Sequence, residues 1–269
     1  MTQTREEFEA RLRRIGAERY HDLHGFHDLL HGGGCSPDQV RAWVINRYYY
    51  QQAIPMKDAA FMSRVSDPAL RRQWRSRIED HDGSDDNEGG LRRWLRLAEA
   101  VGLDPDYVAS CAGVMPATRF AVDAYVRFVR DSTLLEAVAA SLTELFAPKI
   151  HANRIQGLLT HYEFADEAAL SYFRTRLREA PKDVAFGLNW VLDHADSAEK
   201  QDAAAAALVF KTDVLWAQLD ALYAAYVTPG LVPPGAWRPG EGLLPDSASR
   251  DSASRGSASR GNARRERAS

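Results

Sequence analysis

Residues 36–51 of the chain read SPDQVRAWVINRYYYQ, and they decide the fold because they begin a long helix. Ser36 and Gln39 have the spacing of a capping box, in which each side chain bonds the backbone N–H of the other residue. Pro37 stands at the first helical position, where its missing N–H is not needed. The stretch therefore predicts an α-helix that begins at Pro37.

The same start signal returns farther along the chain. Asp67-Pro68 and Asp104-Pro105 each place a capping aspartate before a proline. No segment alternates apolar and polar residues between hairpin turns, so the pattern predicts no sheet. We predict an all-α fold, a single bundle-like domain of seven or so helices over residues 1–240. One core-facing stripe at helical spacing consists of Leu134, Leu135, Val138, Leu142, Leu145 and Phe146.

The composition changes after residue 240. Residues 246–260 repeat a five-residue unit as DSASR, DSASR and GSASR. Leu243 and Leu244 are the sizeable apolar residues of the segment 241–269, too few to offset the entropy of ordering it. We expect this segment to be a disordered tail or linker that the chemistry does not need.

Composition places the chain among globular enzymes of the cytoplasm. Of its 269 residues, 45% are apolar and 26% are charged, which is too apolar for a disordered protein. No apolar run approaches the roughly 20 residues that cross a bilayer, and the N-terminus shows no signal-peptide pattern. Two cysteines are too few for a disulfide framework or a thiolate metal site. The prediction is a protein of a reducing cytoplasm with no membrane partner.

The charge distribution argues against a nucleic-acid partner. The net charge is −3, yet residues 247–269 hold six arginines against two acidic residues. The rest of the chain is therefore more acidic than the total, and an acidic surface repels a phosphate backbone. Arginines that matter in the body are expected inside a local site.

Four helical segments pair a cation with a hydrogen-bonding or proton-carrying group three or four residues away, which puts both on one helix face. Arginine is the preferred partner of a carboxylate, and histidine or tyrosine can carry a proton. The pattern fits a pocket for a small molecule with several carboxylates, and it equally fits solvated surface charges. The pairs are Arg47 with Gln51, Arg77 with His81, His151 with Arg154, and Tyr172 with Arg176.

Four histidines, His21, His24, His27 and His31, form the densest histidine cluster. The last three are predicted to share one helix face, and Glu18 with His21 matches half of the Glu-x-x-His motif of helical di-iron proteins. A di-iron site needs a second such motif, and the sequence holds none. We therefore interpret these histidines as neutral or hydrogen-bonded side chains and predict no metal site.

Read together, the polar segments resemble the pyrroloquinoline-quinone synthase family over residues 4–235. The resemblance rests on long motifs that occur in the family's order. They are Arg19-Tyr20-His21, Asn46 to Gln51, Ile54-Pro55 with Lys57, Arg77 to Gly83, Phe120 to Tyr125, Ser141 to Pro148, His151 to Arg154, Tyr172 to Arg176, and Phe210-Lys211.

The resemblance implies a helical bundle like that of haem oxygenase, working as a homodimer. It implies closure of the last ring of a bicyclic quinone precursor and its eight-electron oxidation by molecular oxygen, with release of hydrogen peroxide. No metal or organic cofactor is expected, because the substrate supplies the quinone chemistry. Some members continue into a small peptide-carrier domain, so a carrier protein of the same pathway is an expected partner.

The resemblance also implies roles for individual residues. His81 is expected to be the general base, and His151, Tyr172 and Arg176 are expected to form the oxygen side of the site, where a cation stabilises reduced oxygen. Several cations and hydrogen-bonding groups are expected to bind the substrate. These are Tyr20, His21, Arg47, Gln51, Arg77, Tyr125, Thr143, Glu144, Arg154 and Lys211.

Three other interpretations stay open at this stage. A di-iron oxygenase could share the helical architecture. A thiaminase-like hydrolase would need a cysteine nucleophile, but Cys111 has no base or cation near it in sequence and is expected to be a buried spectator. A helical binding module could carry a polyanionic ligand without any chemistry.

Overall fold

The computed structural model describes residues 1–245, apart from the side chains of residues 179–184. Within that part the chain forms α-helices and two short 3₁₀ segments, with no strand beyond two isolated bridges, so the predicted all-α fold is confirmed. Eleven α-helices form where seven or so were predicted, because several short helices count separately. They are α1 (Arg5–Arg19), α2 (Gly25–His31), α3 (Pro37–Met62), α4 (Pro68–Asp82), α5 (Gly89–Ala100), α6 (Pro105–Ala109), α7 (Pro116–Asp131), α8 (Leu134–Ser141), α9 (Ala147–His161), α10 (Ser171–His194) and α11 (Ala198–Tyr226).

The predicted helix starts are confirmed at atomic detail. Ser36 N donates to Gln39 Oε1 at 2.8 Å, and Gln39 N donates to Ser36 Oγ at 3.3 Å, which closes the capping box of α3. Asp67 and Asp104 cap α4 and α6 by accepting backbone N–H groups of the first turn. Each cap satisfies donors that have no partner inside the helix.

Helix α3 lies at the centre of the molecule and takes part in two hydrophobic clusters. Tyr50 and Ile54 belong to a cluster that also contains Phe61 and residues of α4, α7, α8 and α11. Trp43 and Tyr48 belong to a second cluster with residues of α5, α9 and α10. Both faces of α3 are therefore buried, and its polar residues must find partners inside the protein.

The chain after α11 packs back onto the body. Trp237 is fully buried, and its N–H donates to Gly113 O at 2.8 Å. Beyond the predicted domain boundary at residue 240, Leu244 N still donates to Gly102 O at 3.0 Å. The contacts with the body thus extend at least four residues past that boundary. Most of the predicted disordered tail, residues 246–269, lies outside the described residues.

The helices of the described part are not of the membrane-spanning kind, since none combines sufficient length with sufficient hydropathy.

Candidate active site

A cavity lies between α3, α4, α9, α10, α11 and the 3₁₀ segment Leu142–Phe146. Eleven of the fourteen predicted site residues line it, and they come from segments far apart in sequence. Three of the four spaced pairs contribute both members, so the pairs converge rather than face solvent. The lining residues among those predicted are Tyr20, His21, Arg47, Gln51, His81, Thr143, Glu144, His151, Arg154, Tyr172 and Arg176.

Arg77 does not line the cavity but lies behind its wall. The guanidinium binds Glu144 with two hydrogen bonds, at 3.0 Å and 2.5 Å, and its Nε lies 3.7 Å from Asp58. Asp58 is fully buried, and Lys57 Nζ donates to it at 2.5 Å. Arg77 therefore positions the Glu144 carboxylate on the wall. Asp58 was not among the predicted site residues, because a buried carboxylate has no local signature in the sequence.

Lys211 and Tyr125 also lie beneath the wall. The Lys211 Nζ, on a residue that is 1% exposed, donates to Tyr50 Oη at 2.7 Å and lies 3.7 Å from the centre of the Tyr125 ring. Burial, followed by the charges of Arg47 and Lys57, holds the pKa of Lys211 well below its usual range. Lys211 thus reaches the cavity through Tyr50.

Tyr50 lines the cavity and was not among the predicted site residues. It follows Arg47 by three positions, and the Arg47 guanidinium lies 4.1 Å from the centre of its ring. The same helical spacing that selected the four pairs could have found it. Burial raises the pKa of Tyr50 to about 12, so its hydroxyl keeps its proton at neutral pH.

The predicted base, His81, is held in one tautomer. Its Nδ1 lies 2.9 Å from Arg77 O, and since a carbonyl only accepts, Nδ1 carries the proton. The other nitrogen, Nε2, is buried and has no hydrogen-bond partner among residues 1–245. Burial, with the Arg176 charge second, lowers the pKa of His81 to about 4. At neutral pH the ring therefore offers an unprotonated Nε2.

Arg154 is a buried cation without an anionic partner in the described part of the chain. The residue is 2% exposed, its Nε has no hydrogen-bond partner there, and its guanidinium lies 5.2 Å from the Trp43 ring and 5.3 Å from the Phe173 ring. Burial, followed by the charge of Arg47, lowers the pKa of Arg154 to about 9, which still leaves it charged at pH 7. A buried charge without a counter-ion lowers the stability of the folded protein, and a bound ligand carboxylate would offset that loss.

Glu144 is the acidic group on the cavity wall, and it is ionised. Burial alone would raise its pKa, but the charges of Arg77 and Arg176 outweigh burial and hold the pKa well below its usual range. Three arginines line the same cavity, namely Arg47, Arg154 and Arg176, so the cations outnumber this one carboxylate. The cavity is therefore suited to an anionic ligand.

The residues predicted for the oxygen side form a compact group. Tyr172 donates its hydroxyl proton to Gln51 Oε1 at 2.7 Å, and its ring meets the His151 ring edge-on at 6.4 Å. Burial, followed by the charges of Arg154 and Arg176, lowers the pKa of His151 well below its usual value, so the ring is neutral. A neutral imidazole, a phenol and a guanidinium thus share one wall of a buried pocket.

The histidine cluster differs from its prediction. Helix α1 ends at Arg19, so Glu18 and His21 do not share a helix, and the half-motif of a di-iron site is not formed. His24 caps α2 by accepting the Phe26 N–H at 3.0 Å, so it does not share the face of His27 and His31. Across residues 1–245, no three ligating side chains are grouped to hold a metal ion.

The two cysteines lie outside this cavity. Cys111 Sγ lies 3.1 Å from Gln52 Oε1, and Cys35 lines a separate cleft near the start of α3. Burial raises the pKa of both thiols, in Cys35 to about 11. Neither arrangement activates a nucleophile, in agreement with the spectator role predicted for Cys111.

Sequence comparisons with known proteins agree on one family. The model of the TENA/THI-4/PQQC family matches residues 9–221. A protein of Ruegeria pomeroyi named pyrroloquinoline-quinone synthase is 75% identical over 86% of this chain and 95% of its own length. A protein of Rhizobium meliloti with the same name is 74% identical over 85% of this chain and 90% of its own length. A bifunctional coenzyme PQQ synthesis protein C/D of Methylorubrum extorquens is 58% identical over 85% of this chain and 61% of its own length.

Solved structures agree on the fold. A TenA homolog of Pseudomonas syringae pv. tomato has a TM-score of 0.67 at 13% identity and covers 81% of this chain and 93% of its own. A domain of unknown function with a heme oxygenase-like fold, from Shewanella denitrificans, has a TM-score of 0.64 at 11% identity. The match covers 87% of this chain and 96% of that domain's chain. The predicted likeness to the haem oxygenase bundle is confirmed.

Proposed function

The chain belongs to the TENA/THI-4/PQQC family, and on that premise we propose that it catalyses the final step of pyrroloquinoline quinone biosynthesis. The reaction is ring closure and eight-electron, oxygen-dependent oxidation of the bicyclic quinone precursor, with release of hydrogen peroxide. The observation that carries this proposal is the 75% identity to a relative named pyrroloquinoline-quinone synthase over nearly the whole of that relative. The anion-binding cavity supports it independently.

Substrate binding is assigned to the cations that face the cavity. Arg154 and Arg47 have no carboxylate within ion-pair distance in the part of the chain that the structure describes, and both line the cavity. Arginine binds a carboxylate through two parallel N–H groups, which fixes the orientation of the ligand as well as its charge. A precursor with several carboxylates would therefore be held in one pose by these two residues, with Tyr20, Gln51 and Thr143 completing its hydrogen bonds.

Proton abstraction is assigned to His81. Aromatisation of the new ring removes protons from carbon. That step needs a positioned base that is unprotonated at neutral pH. The Nδ1–H bond to Arg77 O keeps Nε2 unprotonated inside the cavity. His81 is thus a prepared base that needs no rearrangement before it accepts a proton.

Oxygen reduction is assigned to the group of His151, Tyr172 and Arg176. An arginine in a buried site stabilises the negative charge that develops as oxygen is reduced. We propose that the chemistry uses no metal and no organic cofactor, since the substrate is itself a quinone. The His81 base and the cations named above are the groups that the reaction would require of the protein.

Assembly and location are also proposals. A homodimer is proposed on the resemblance to the family. A small peptide-carrier protein is proposed as a partner because the Methylorubrum extorquens relative is named as a bifunctional C/D protein, of which this chain covers 61%. A cytoplasmic location is proposed on the low cysteine content.

The experiment is oxygen uptake by the pure protein after addition of the quinone precursor, with an anaerobic incubation as control. We expect oxygen uptake, hydrogen peroxide and the absorbance of the finished quinone, all unaffected by a chelator. Binding of the precursor without oxygen uptake would favour a binding module. Activity that a chelator abolishes and iron restores would favour a di-iron oxygenase.

A further inference from the structure

Three histidines that the proposed reaction does not use as base or oxygen group form a continuous column. His21 lines the cavity, and its Nδ1 lies 2.9 Å from Nε2 of His27. The bond leaves Nε2 of His21 as the nitrogen available to the cavity. His27 is 1% exposed, and it lies behind His21 and does not line the cavity.

The column continues to the surface along α2. His31 follows His27 by one helical turn, and the two rings are stacked, with centroids 5.2 Å apart and an angle of 13° between the planes. His27 Nδ1 and His31 Nε2 are both buried and have no hydrogen-bond partner among residues 1–245. His31 as a whole is partly exposed, and its Nδ1 is not among the buried nitrogens that lack a partner.

All three rings are neutral at neutral pH. Burial lowers the pKa of each, and the next cause is Arg47 for His21 and Arg154 for His27 and His31. The pKa of His31 falls to about 3. A neutral imidazole has one N–H donor and one acceptor nitrogen, which is the state that can accept a proton on one side and release one on the other.

We propose that His21, His27 and His31 relay protons between the cavity and solvent during the oxidation. A proton enters His21 at Nε2, and the Nδ1 proton of His21 passes to His27 Nε2. The Nδ1 proton of His27 passes to Nε2 of the stacked His31 ring, and His31 releases its Nδ1 proton to solvent. After the transfer each ring has gained one proton and lost one, so it is neutral again in its other tautomer.

The direction reverses within the turnover. In each two-electron oxidation the substrate loses two electrons and two protons, and one O₂ gains both to become H₂O₂. Protons leave carbon at one moment and are taken up by reduced oxygen at another. An outward transfer followed by an inward transfer returns every ring to its starting tautomer. The hydrogen bond between His21 and His27 exists in both tautomeric states, with donor and acceptor exchanged.

The charges around the column make the relay depend on substrate. Arg154 and Arg47 disfavour a transient imidazolium at His21 or His27. Substrate carboxylates bound to these two arginines would offset that charge, so proton transfer becomes favourable when the cavity is occupied. The inference therefore rests on the proposed function.

The test is the single-turnover rate of quinone formation at saturating precursor and fixed pH. His27→Phe keeps an aromatic ring and removes both nitrogens, and His31→Ala opens space near the surface. Both variants should slow the rate by about a hundredfold, the low end of the range for loss of a positioned proton carrier. Imidazole in the buffer should restore the rate of His31→Ala and leave His27→Phe slow. His194→Phe, at an exposed position outside the column, is the matched control and should react like wild type.

A structural role would give a different result, since imidazole cannot repair a packing defect. Wild-type rates in both variants, or a loss in His31→Ala that imidazole does not restore, would overturn the relay while leaving the synthase function in place. A wild-type protein that consumes no oxygen with the precursor would overturn the function and the relay together. If His27→Phe fails to fold, the His31→Ala arm decides alone.

Discussion

Arg77 binds the Glu144 carboxylate at two points, Nη1 to Oε2 at 3.0 Å and Nη2 to Oε1 at 2.5 Å. Glu144 lines the cavity, whereas Arg77 lies behind it and approaches buried Asp58 within 3.7 Å. The pair ties helix α4, which also carries His81, to the 3₁₀ segment that carries Thr143 and Glu144. Two walls of the cavity are thereby fixed relative to each other.

Arg77→Ala should therefore destabilise the protein and disorder the wall. Removal of the guanidinium should cost up to about 3–5 kcal/mol, because it leaves fully buried Asp58 and partly buried Glu144 without one of their cations. Denaturant unfolding should show this loss, and the affinity for the precursor should fall with it. Arg130→Ala, which breaks an exposed pair with Asp131, is the control and should leave the unfolding midpoint nearly unchanged. Equal midpoints for the two variants would contradict a structural role for Arg77.

His81→Ala should bind the precursor and then stall at a partly oxidised intermediate. Loss of a positioned base lowers the rate by about 10²–10⁴-fold, while the cations that bind the ligand remain. Equilibrium binding and stopped-flow absorbance separate the two effects. Turnover at the wild-type rate would remove His81 from the reaction.

Arg154→Met should weaken precursor binding and stabilise the free protein. The arginine is 2% exposed and has no carboxylate partner within the described residues, so an apolar side chain of similar length removes an uncompensated buried charge. Apolar replacement of a buried ion pair is neutral or stabilises by about 1–4 kcal/mol, and we expect a gain within that range for this unpaired cation. Thermal unfolding without ligand and titration with precursor measure the two effects, with exposed Arg72→Met as control. A less stable free protein would show that Arg154 has a partner of its own.

Stability should fall on acidification below pH 6.5. The folded-state pKa of His81 is about 4, below the ordinary value of 6.5, so the unfolded chain binds a proton that the folded protein does not. The stabilisation is complete above pH 6.5 and is lost as pH falls toward 4. Buried His21 and His151 act in the same direction.

His81→Gln tests this contribution. Removing the histidine should flatten the slope of unfolding free energy against pH by at most about 1.4 kcal/mol per pH unit between pH 6.5 and 4. Urea unfolding at several pH values gives the slope. An unchanged slope would mean that His81 takes up a proton in the folded state.

In the segment after α11, we expect residues 246–269 to be dispensable for activity and Trp237 to be needed for stability. Deleting residues 246–269 should leave the rate of quinone formation unchanged at low and high salt, because this segment holds no apolar side chain larger than alanine that could pack against the body. Trp237→Ala should cost about 3–5 kcal/mol, because the ring is fully buried. Oxygen uptake and thermal unfolding provide the two measurements. Salt-dependent loss of activity in the truncated protein would assign the arginines of the tail a docking role.

Helix starts followed from sequence alone because capping is local. Ser36 with Gln39, and Asp67 with the first turn of α4, bond groups no more than three residues away, and no distant part of the chain alters that geometry. The all-α class followed in the same way from periodicity. The site residues were selected by family resemblance, and the spaced pairs alone did not show whether they met.

The tertiary structure decided what these side chains face. Arg77 and Lys211 were grouped with the substrate-binding residues, yet packing places them behind the wall, against Glu144 and Tyr50. The column from His21 to His31 also depends on packing, because a 3₁₀ turn aims His21 at a ring of α2. Local sequence sets the helix face of a side chain, but its partner, its burial and hence its pKa depend on residues brought near by the fold.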